Sequence, residues 1–309
     1  MNSGKITWNA LSGLSGNNRE EPVMPELPEV ETIARELRPL IVGKTFRKIT
    51  LPWPRTVEDG QKEFQAALID KKITRIDRRG KYLCFYLEDE LRLTIHLRMT
   101  GKLVFEPEEK DKKHIRVVFE FSDRSVLYFV DIRKFGRMKL WPKTEPLLPH
   151  LGPDALEENT VFRALVNRES RRPIKTLLLD QEVLAGVGNI YADEALFMAG
   201  IHPLTPALRV SKQRLRKLSR HLPEILKKAI ENNGTTISDY RRTGRLKGEH
   251  QFFLNVYGRT GEPCNKCKTP VVRICINNRG SHFCPECQPA PAGMKAATKA
   301  RRRKGTPGV

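Results

Sequence analysis

Two pairs of cysteines have the spacing of a metal site. Cys264 and Cys267 form one Cys-x-x-Cys motif, and Cys284 and Cys287 form a second. Four thiolates from two such motifs can bind one tetrahedral zinc ion, whereas a redox pair needs only one motif. The segment between the motifs reads as two short strands around an Asn-Arg-Gly turn. We therefore predict one structural zinc ion per chain, with Cys275 in a strand and outside the ligand set.

The stretch that begins at Met24 and Pro25 combines a proline with several carboxylates. Glu29 and Glu31 fall in the first turn of a predicted helix, where the helix dipole favours negative charge. A proline in this position often marks only the start of a helix, and that structural explanation requires no chemistry. The twenty-three residues before Met24 make the nitrogen of Pro25 an amide in the full chain.

Three further motifs could contact phosphates or bases, although each has an ordinary structural explanation. A helix that begins near Asn189 could present free amides to a phosphate, but spacing alone favours a simple turn between packed helices. Phe135 lies among cations and could wedge between stacked bases, although a core phenylalanine flanked by surface cations is commoner. The basic run at 78–82 is more often a solvated face than a site.

The charge of the chain favours a polyanionic partner. Its 309 residues carry a formal net charge of +20, and such a surface attracts nucleic acid or, as an alternative, an anionic membrane. The sequence has no run of about 18 apolar residues that would predict a membrane-spanning helix. The first twenty residues lack the apolar segment of a signal peptide. We therefore expect a soluble, cytoplasmic protein that is not bound to a membrane.

The hydrophobic pattern predicts an α+β fold in which strands come before helices. An apolar helical stripe covers 28–41, and residues 45–141 alternate between apolar and polar, as in an antiparallel β-sandwich without intervening helices. Residues 235–254 have no clear period and are interpreted as a mobile loop. The predicted units are an extension (1–24), a β-sandwich domain (25–141), a proline-rich linker (142–153), a helical domain (154–250), a zinc finger (251–288) and a disordered basic tail (289–309).

Four motifs in this order resemble the formamidopyrimidine-DNA glycosylases, the base-excision enzymes for oxidised purines. They are PELPEVET at 25–32, DIRKFG at 131–136, LLLDQEVLAGVGNIYADEALF at 177–197 and VYGRTGEPCNKC…NRGSHFCPECQ at 256–288. The resemblance covers residues 25–288. It implies an N-terminal β-sandwich with a flanking helix, a helical domain with a helix–two-turn–helix element and a C-terminal zinc finger. Leu27 favours this family over the related endonuclease VIII branch, which usually opens PEGPE.

The resemblance also implies roles for individual residues. Pro25 would be the nucleophile once its nitrogen is a free amine, Glu26 would transfer protons, and Glu29 would order the site. The residues that would hold phosphates around the lesion are Lys81, Lys175, Asn189 and Arg279. Of these, Lys81 would also be a catalytic residue. The residues that would fill the gap left by the flipped nucleotide are Met99, Arg133 and Phe135.

Together these features predict a monomeric, bifunctional DNA glycosylase and lyase. It would remove 8-oxoguanine and formamidopyrimidines from duplex DNA and cleave the strand at the abasic site by β,δ-elimination. The extension at 1–24 would be absent or removed in the active protein. An intact extension would instead produce a non-catalytic DNA-binding protein. A preference for oxidised pyrimidines is a third possibility, which the loop at 235–254 could govern.

Overall fold

The computed structural model describes residues 24–157, 159–235 and 248–291, and the fold is α+β. Its strands are β1 (Phe46–Thr50), β2 (Ile73–Arg79), β3 (Tyr82–Leu87), β4 (Arg92–His96), β5 (Lys102–Val104), β6 (Ile115–Phe121), β7 (Val126–Val130), β8 (Arg137–Trp141), β9 (Val272–Ile276) and β10 (Arg279–Phe283). Its helices are α1 (Leu27–Ile41), α2 (Gln61–Leu68), α3 (Glu109–Lys112), α4 (Thr160–Leu165), α5 (Ile174–Leu179), α6 (Asn189–Ala199) and α7 (Lys212–Glu231).

Strands β1 to β8 form the predicted antiparallel sandwich. One four-stranded sheet has the order β1-β6-β7-β5, and the other has the order β2-β3-β4-β8. The alternating sequence explains the packing, because successive side chains of a strand point to opposite faces. In β6, for example, Val117, Phe119 and Phe121 are buried on one face. Side chains from both sheets and from α1 share a single apolar core.

The prediction that no helix interrupts these strands was wrong. Helix α2 lies between β1 and β2, and it buries only Phe64 and Leu68. Two apolar residues four positions apart are too few to establish a helical period against the strand pattern around them. The short helix α3 likewise precedes β6.

Helices α4 to α7 enclose a second apolar core around α6. Helix α6 begins at Asn189, as predicted, and ends at Ala199; the next residue, Gly200, caps it with a positive φ of 66° that suits a helix terminus. The preceding helix, α5, ends at Leu179. The carboxylate of Asp180 accepts a hydrogen bond from the Glu182 amide (3.2 Å), and this local bond stabilises a turn.

The cysteine motifs flank an antiparallel hairpin of β9 and β10. The turn is formed by Asn277 and Asn278, both with positive φ, which is the usual chemistry of a two-residue hairpin turn. The predicted Asn-Arg-Gly turn is therefore displaced by one residue, and Arg279 begins β10. Most of the predicted loop at 235–254, the extension before Met24 and most of the tail lie outside the described residues. None of the helices in the described ranges is long and apolar enough to span a bilayer.

Candidate active site

A cleft of about 650 Å³ brings residues of the β-sandwich, the helical region and the finger together. Six of the predicted site residues line it: Glu26, Lys81, Met99, Phe135, Asn189 and Arg279. They come from separate parts of the chain, so only the tertiary structure makes them neighbours. Lys81 and Arg279 are basic residues, and the cleft therefore suits an anionic ligand.

Pro25 is next in the chain to a residue that lines this cleft. Pro25 itself is buried, whereas Met24, which is bonded to that nitrogen, is one of the residues that line the cleft. The peptide bond between Met24 and the Pro25 nitrogen therefore lies next to the cleft. Removal of the residues up to Met24 would expose an amine at the same place.

Glu26 lies beneath the first turn of α6. Its Oε1 accepts a hydrogen bond from the Ile190 amide (2.9 Å), and its Oε2 is buried without a hydrogen-bond partner among the described residues. Burial raises the pKa of Glu26 to about 7, although the positive charge of Lys81 opposes the shift. A carboxyl group that titrates near neutral pH can both donate and accept a proton.

Gly188 makes room for the Glu26 side chain. A Cβ at position 188 would lie 2.2 Å from Cδ of Glu26, so no larger residue fits while the carboxyl group stays in place. From the sequence, free amides at the start of α6 that could bind a phosphate were one possibility, and an ordinary turn between packed helices was the favoured one. The Ile190 amide is instead bonded to Glu26.

Glu29 connects three parts of the chain at the floor of the site. Its Oε2 accepts a hydrogen bond from the Glu26 amide (2.9 Å). Its Oε1 accepts hydrogen bonds from the Tyr191 hydroxyl (2.6 Å) and from the Thr235 amide (2.8 Å). Burial raises the pKa of Glu29. The sequence analysis missed Tyr191, although it lies only two residues after Asn189 on the helix that reaches the cleft.

Lys81 is almost completely buried, with 4% of its surface exposed. Burial lowers the pKa of its ammonium group, the negative charge of Glu26 opposes this shift, and the positive charge of Arg279 adds to it. Because the charged form has lost most of its hydration, an anion that enters the cleft would interact with it strongly.

The turn that carries Lys81 is held by Asp154, which the sequence analysis also missed. Asp154 accepts hydrogen bonds from the Gly80 amide (3.0 Å) and from Nη1 of Arg78 (2.6 Å). Arg78 in turn lies 3.3 Å from the carboxylate of Glu31 on α1. These partly buried charges join the turn between β2 and β3 to α1 and to the segment that follows β8.

Asn189 and Arg279 meet at the junction of α6 and the finger. Asn189 donates a hydrogen bond from Nδ2 to the carbonyl of Gly280 (2.9 Å). Its Oδ1 is buried and has no hydrogen-bond partner within the described ranges. The side chain of Arg279, the residue next to Gly280, is exposed at the cleft.

Lys175 does not lie where a phosphate could reach it, so its predicted role as a DNA contact is contradicted. Its side chain is fully buried, and Nζ lies 2.7 Å from Oδ1 of Asp193. Nζ also donates hydrogen bonds to the carbonyl of Gly280 (3.1 Å) and to the hydroxyl of Ser281 (2.7 Å). The ammonium group is surrounded by two hydrogen-bond acceptors and the carboxylate of Asp193. Lys175 thus holds the strand that begins with Arg279.

The predicted gap-filling residues lie on two loops joined by one buried carboxylate. Asp131 accepts hydrogen bonds from the Thr100 hydroxyl and from the Gly136 amide (2.7 Å), so it links the loop after β4 to the loop before β8. Phe135 is 47% exposed. The guanidinium carbon of Arg133 lies 5.2 Å from the centre of the Phe135 ring, although Arg133 does not itself line the cleft.

The cleft also contains residues that the sequence analysis did not identify: Arg98, Arg137, Tyr257 and Asn278. Arg98 has a positive φ of 56°, and its amide donates a hydrogen bond to Nδ1 of His96 (3.0 Å). Burial lowers the pKa of His96 to about 3, so this histidine is neutral at physiological pH and can accept that bond. Arg98 could have been identified from the sequence, because it is a basic residue directly before the predicted site residue Met99.

The four predicted metal ligands converge at one point. The sulfur atoms of Cys264, Cys267, Cys284 and Cys287 all lie within 4.8 Å of one another. The closest separations include 3.9 Å between Cys264 and Cys287 and 3.4 Å between Cys267 and Cys284. Tetrahedral zinc with bonds of about 2.3 Å to sulfur requires sulfur separations of roughly 3.8 Å. The cluster therefore fits one zinc ion, and Cys275 is exposed outside it, as predicted.

Two buried carboxylates of α6 hold the finger against the helical core. Glu194 accepts hydrogen bonds from the amides of Val256 (2.8 Å) and Tyr257 (2.9 Å). Asp193 accepts one from the His282 amide (2.8 Å). One helix thus supplies Asn189 to the cleft and also orients the hairpin that carries Arg279.

Comparisons with known proteins agree with this arrangement. The family model for the formamidopyrimidine-DNA glycosylase N-terminal domain matches residues 24–138. The model for the H2TH domain of the same enzymes matches 151–241, and that for the zinc finger found in FPG and IleRS matches 261–290. The formamidopyrimidine-DNA glycosylase of Ligilactobacillus salivarius is 43% identical over 272 residues, which cover 86% of this chain and 99% of that protein.

Solved structures give the same result. The MutM (Fpg) protein of Thermus thermophilus is 44% identical, with a TM-score of 0.78 over 85% of this chain and 98% of that one. Lactococcus lactis Fpg, solved with DNA containing an abasic site, is 39% identical, with a TM-score of 0.78 over 86% of this chain and 100% of that one. A mutant of the Lactococcus lactis protein has been solved with DNA containing Fapy-dG, and the wild-type protein has been solved with DNA containing an oxidised pyrimidine. With relatives this similar over nearly their whole length, the chain belongs to the formamidopyrimidine-DNA glycosylase family.

Proposed function

We propose that this protein is a DNA glycosylase of base-excision repair that also cleaves the strand at the resulting abasic site. Its substrates would be the oxidised purines 8-oxoguanine and formamidopyrimidine in duplex DNA, on which it would act as a monomer. The observation that supports this most directly is that Glu26 and Lys81 line one basic cleft together with Met24, the residue bonded to the Pro25 nitrogen. Family membership adds independent support.

Pro25 is suited to act as the nucleophile when its nitrogen is a free amine. An α-amine has a reference pKa of about 7.7–8.0, far below that of lysine, so a useful fraction is neutral at physiological pH. Attack on C1′ forms a nitrogen–carbon bond while the bond to the base breaks. The base takes the bonding electrons and a proton, and Glu26 can supply that proton because its pKa is raised to about 7.

Strand cleavage would follow from the secondary amine of proline. The attached nitrogen loses its proton, and its lone pair then expels the ring oxygen O4′, which takes up a proton. The resulting cationic iminium at C1′ acidifies the protons of C2′. Loss of a C2′ proton to a base such as Glu26 expels the 3′ phosphate, and a second elimination expels the 5′ phosphate. These are the β and δ steps of the proposed reaction.

The remaining cleft residues would hold the DNA and stabilise the flipped nucleotide. Lys81, Asn189 and Arg279 would bind phosphates on either side of the lesion. Extraction of a base from the duplex costs a few kcal/mol of lost stacking. Met99 and Phe135, with Arg133 stacked against Phe135, would fill the gap and reduce that cost. The cysteine cluster would hold one structural zinc ion.

The experiment that tests this function compares two forms of the protein. We expect the form that begins at Pro25 to cleave an 8-oxoguanine duplex and to be trapped on it by borohydride, which reduces the iminium. The form that retains residues 1–24 should bind the duplex without forming this adduct, because an acylated nitrogen cannot make an iminium. Equal trapping of the two forms, with intact mass verified, would identify another amine as the nucleophile.

A preference for oxidised pyrimidines is the second candidate. It is favoured by one observation, namely that Lactococcus lactis Fpg has been solved with DNA containing an oxidised pyrimidine. Single-turnover excision by the Pro25-start form, measured on matched duplexes carrying 8-oxoguanine or an oxidised pyrimidine, separates the candidates. Faster excision of the purine supports the main proposal, and the reverse order supports the second candidate.

A further inference from the structure

The first half of α7 presents a line of cations that the proposed chemistry does not use. Between Lys212 and Arg220 the helix has five basic residues and no acidic one: Lys212, Arg214, Arg216, Lys217 and Arg220. All five are exposed. No carboxylate of the described residues lies within ion-pair distance of any of them. The apolar face of the same helix, which includes Leu215, Leu218 and Leu222, is buried against the helical core.

This arrangement is unfavourable for the helix itself. Lys212 and Arg214 lie in the first turn, where the helix dipole disfavours positive charge. Lys212, Arg216 and Arg220 are spaced four residues apart, so each repels the next along the helix surface. Surface helices more often alternate acidic and basic residues at this spacing. A bound polyanion would relieve both kinds of repulsion.

The cation line lies in the half of α7 that is remote from the floor of the site. The opposite end of α7 leads directly to Thr235, whose amide donates a hydrogen bond to Glu29 at the floor of the site. Helix α7 has 20 residues, so at about 1.5 Å per residue its first residue lies about 28 Å from its last. Of the described residues that line the cleft, none belongs to α7.

We propose that this face of α7 is a second nucleic-acid surface, which binds a separate segment of duplex DNA while the cleft holds the first. Three of the five cations, Lys212, Arg216 and Arg220, follow one another at about 6 Å along the helix axis, and all five are exposed, so they match a long, straight polyanion better than a small ligand. A neighbouring segment of the same DNA is present at high local concentration once the cleft is occupied. The proposal rests on the proposed function only in that the cleft binds duplex DNA.

The test measures capture of a second duplex by a complex that already holds one. A duplex with a tetrahydrofuran abasic analogue is immobilised and saturated with the full chain, and binding of that first duplex is measured separately. A fluorescent, lesion-free duplex is then added at several salt concentrations. We expect capture to weaken steeply with salt, as expected for phosphate contacts.

The test variant is Lys212→Gln/Lys217→Gln/Arg220→Gln. The affinity of this variant for the second duplex should fall at least about tenfold. The slope of log K against log salt for the second duplex should become shallower by about 2.7 units, because three phosphate contacts are lost. Its affinity for the first duplex should change less than about twofold. The control, Lys110→Gln/Lys112→Gln/Lys113→Gln, removes the same charge around α3 and should behave as the unmodified chain does.

Three results would overturn the proposal. Capture by the α7 variant equal to that of the control would show that the line binds no second duplex. An equal loss of affinity for the first duplex would assign α7 to the same binding site as the cleft. Binding of anionic lipid vesicles that depends on the α7 cations, without capture of DNA, would identify a membrane surface as the partner. Failure of the first duplex to bind at all would instead refute the proposed function of the cleft.

Discussion

At the scale of single residues, Glu26 illustrates a conflict between stability and chemistry. Its carboxyl group is buried, one of its oxygens lacks a hydrogen-bond partner among the described residues, and its pKa is raised to about 7. The folded protein therefore holds the proton more tightly than the unfolded chain does. Stability from this group is fully present below the ordinary pKa of 4.5 and is lost as the pH rises towards 7.

We expect Glu26→Gln to separate the two effects. In the Pro25-start form, the variant should lose excision far more than it loses DNA affinity, because glutamine keeps the shape but carries no proton. In the full chain, the variant should gain stability relative to the parent between pH 5 and pH 8, by up to about 3 kcal/mol. Single-turnover excision and denaturant unfolding at both pH values measure these effects. A stability difference that does not change with pH would contradict the raised pKa.

At the scale of elements, α6 and the β9–β10 hairpin act as one unit. Asn189 and Lys175 both donate to the carbonyl of Gly280, and Asp193 pairs with Lys175. The position of Arg279 therefore depends on buried contacts behind it and on the cysteine cluster at the base of the hairpin. Metal binding and correct presentation of this arginine should be lost together.

Replacement of Cys264 by serine tests this dependence. The variant should lose zinc and bind lesion duplex more weakly, and its log–log salt slope should fall by about 0.9, because Arg279 no longer holds its phosphate. Arg279→Ala should lower the slope equally while retaining zinc. Cys275→Ser is the matched control, since Cys275 lies in the same finger but outside the cluster. Full zinc content in the Cys264 variant would refute the ligand assignment.

At the scale of the whole molecule, the cleft exists because separate units meet at a few charged contacts. Asp154 is the clearest example. It follows the last strand of the sandwich, yet it holds the turn of Lys81 through the Gly80 amide and Arg78. A mutation there alters the geometry between units without touching any cleft residue.

We expect Asp154→Asn to weaken lesion binding even though it removes a negative charge from a protein that binds a polyanion. Its cost in stability should be about 1–3 kcal/mol, because Arg78 loses one of its two partly buried carboxylate partners. Asp123→Asn is the control, since it removes the same charge from an exposed ion pair with Lys44. Equilibrium binding and thermal unfolding provide the measurements. Tighter DNA binding by both variants would mean that the net charge of the protein affects affinity more than the position of Lys81 does.

The sequence by itself determined the local features of this protein. The alternation of apolar residues predicted the sandwich, the two Cys-x-x-Cys motifs predicted the metal cluster, and the apolar stripe after Pro25 predicted α1. Each of these signals lies within one continuous segment and depends on strand or helix periodicity, or on ligand spacing. Helix α2 was not predicted, because its two buried residues, Phe64 and Leu68, are too few to establish a helical period.

Tertiary structure alone decided which polar residues reach the cleft. Lys175 and Lys81 are both lysines in basic segments, yet one is enclosed by Asp193 and Ser281 while the other lines the cavity. No pattern in the sequence identifies Tyr191 and Asp154 as site residues, because their hydrogen-bond partners lie far away in the sequence. Burial and pairing of charges depend on contacts between distant segments, and no spacing within a single segment encodes those contacts.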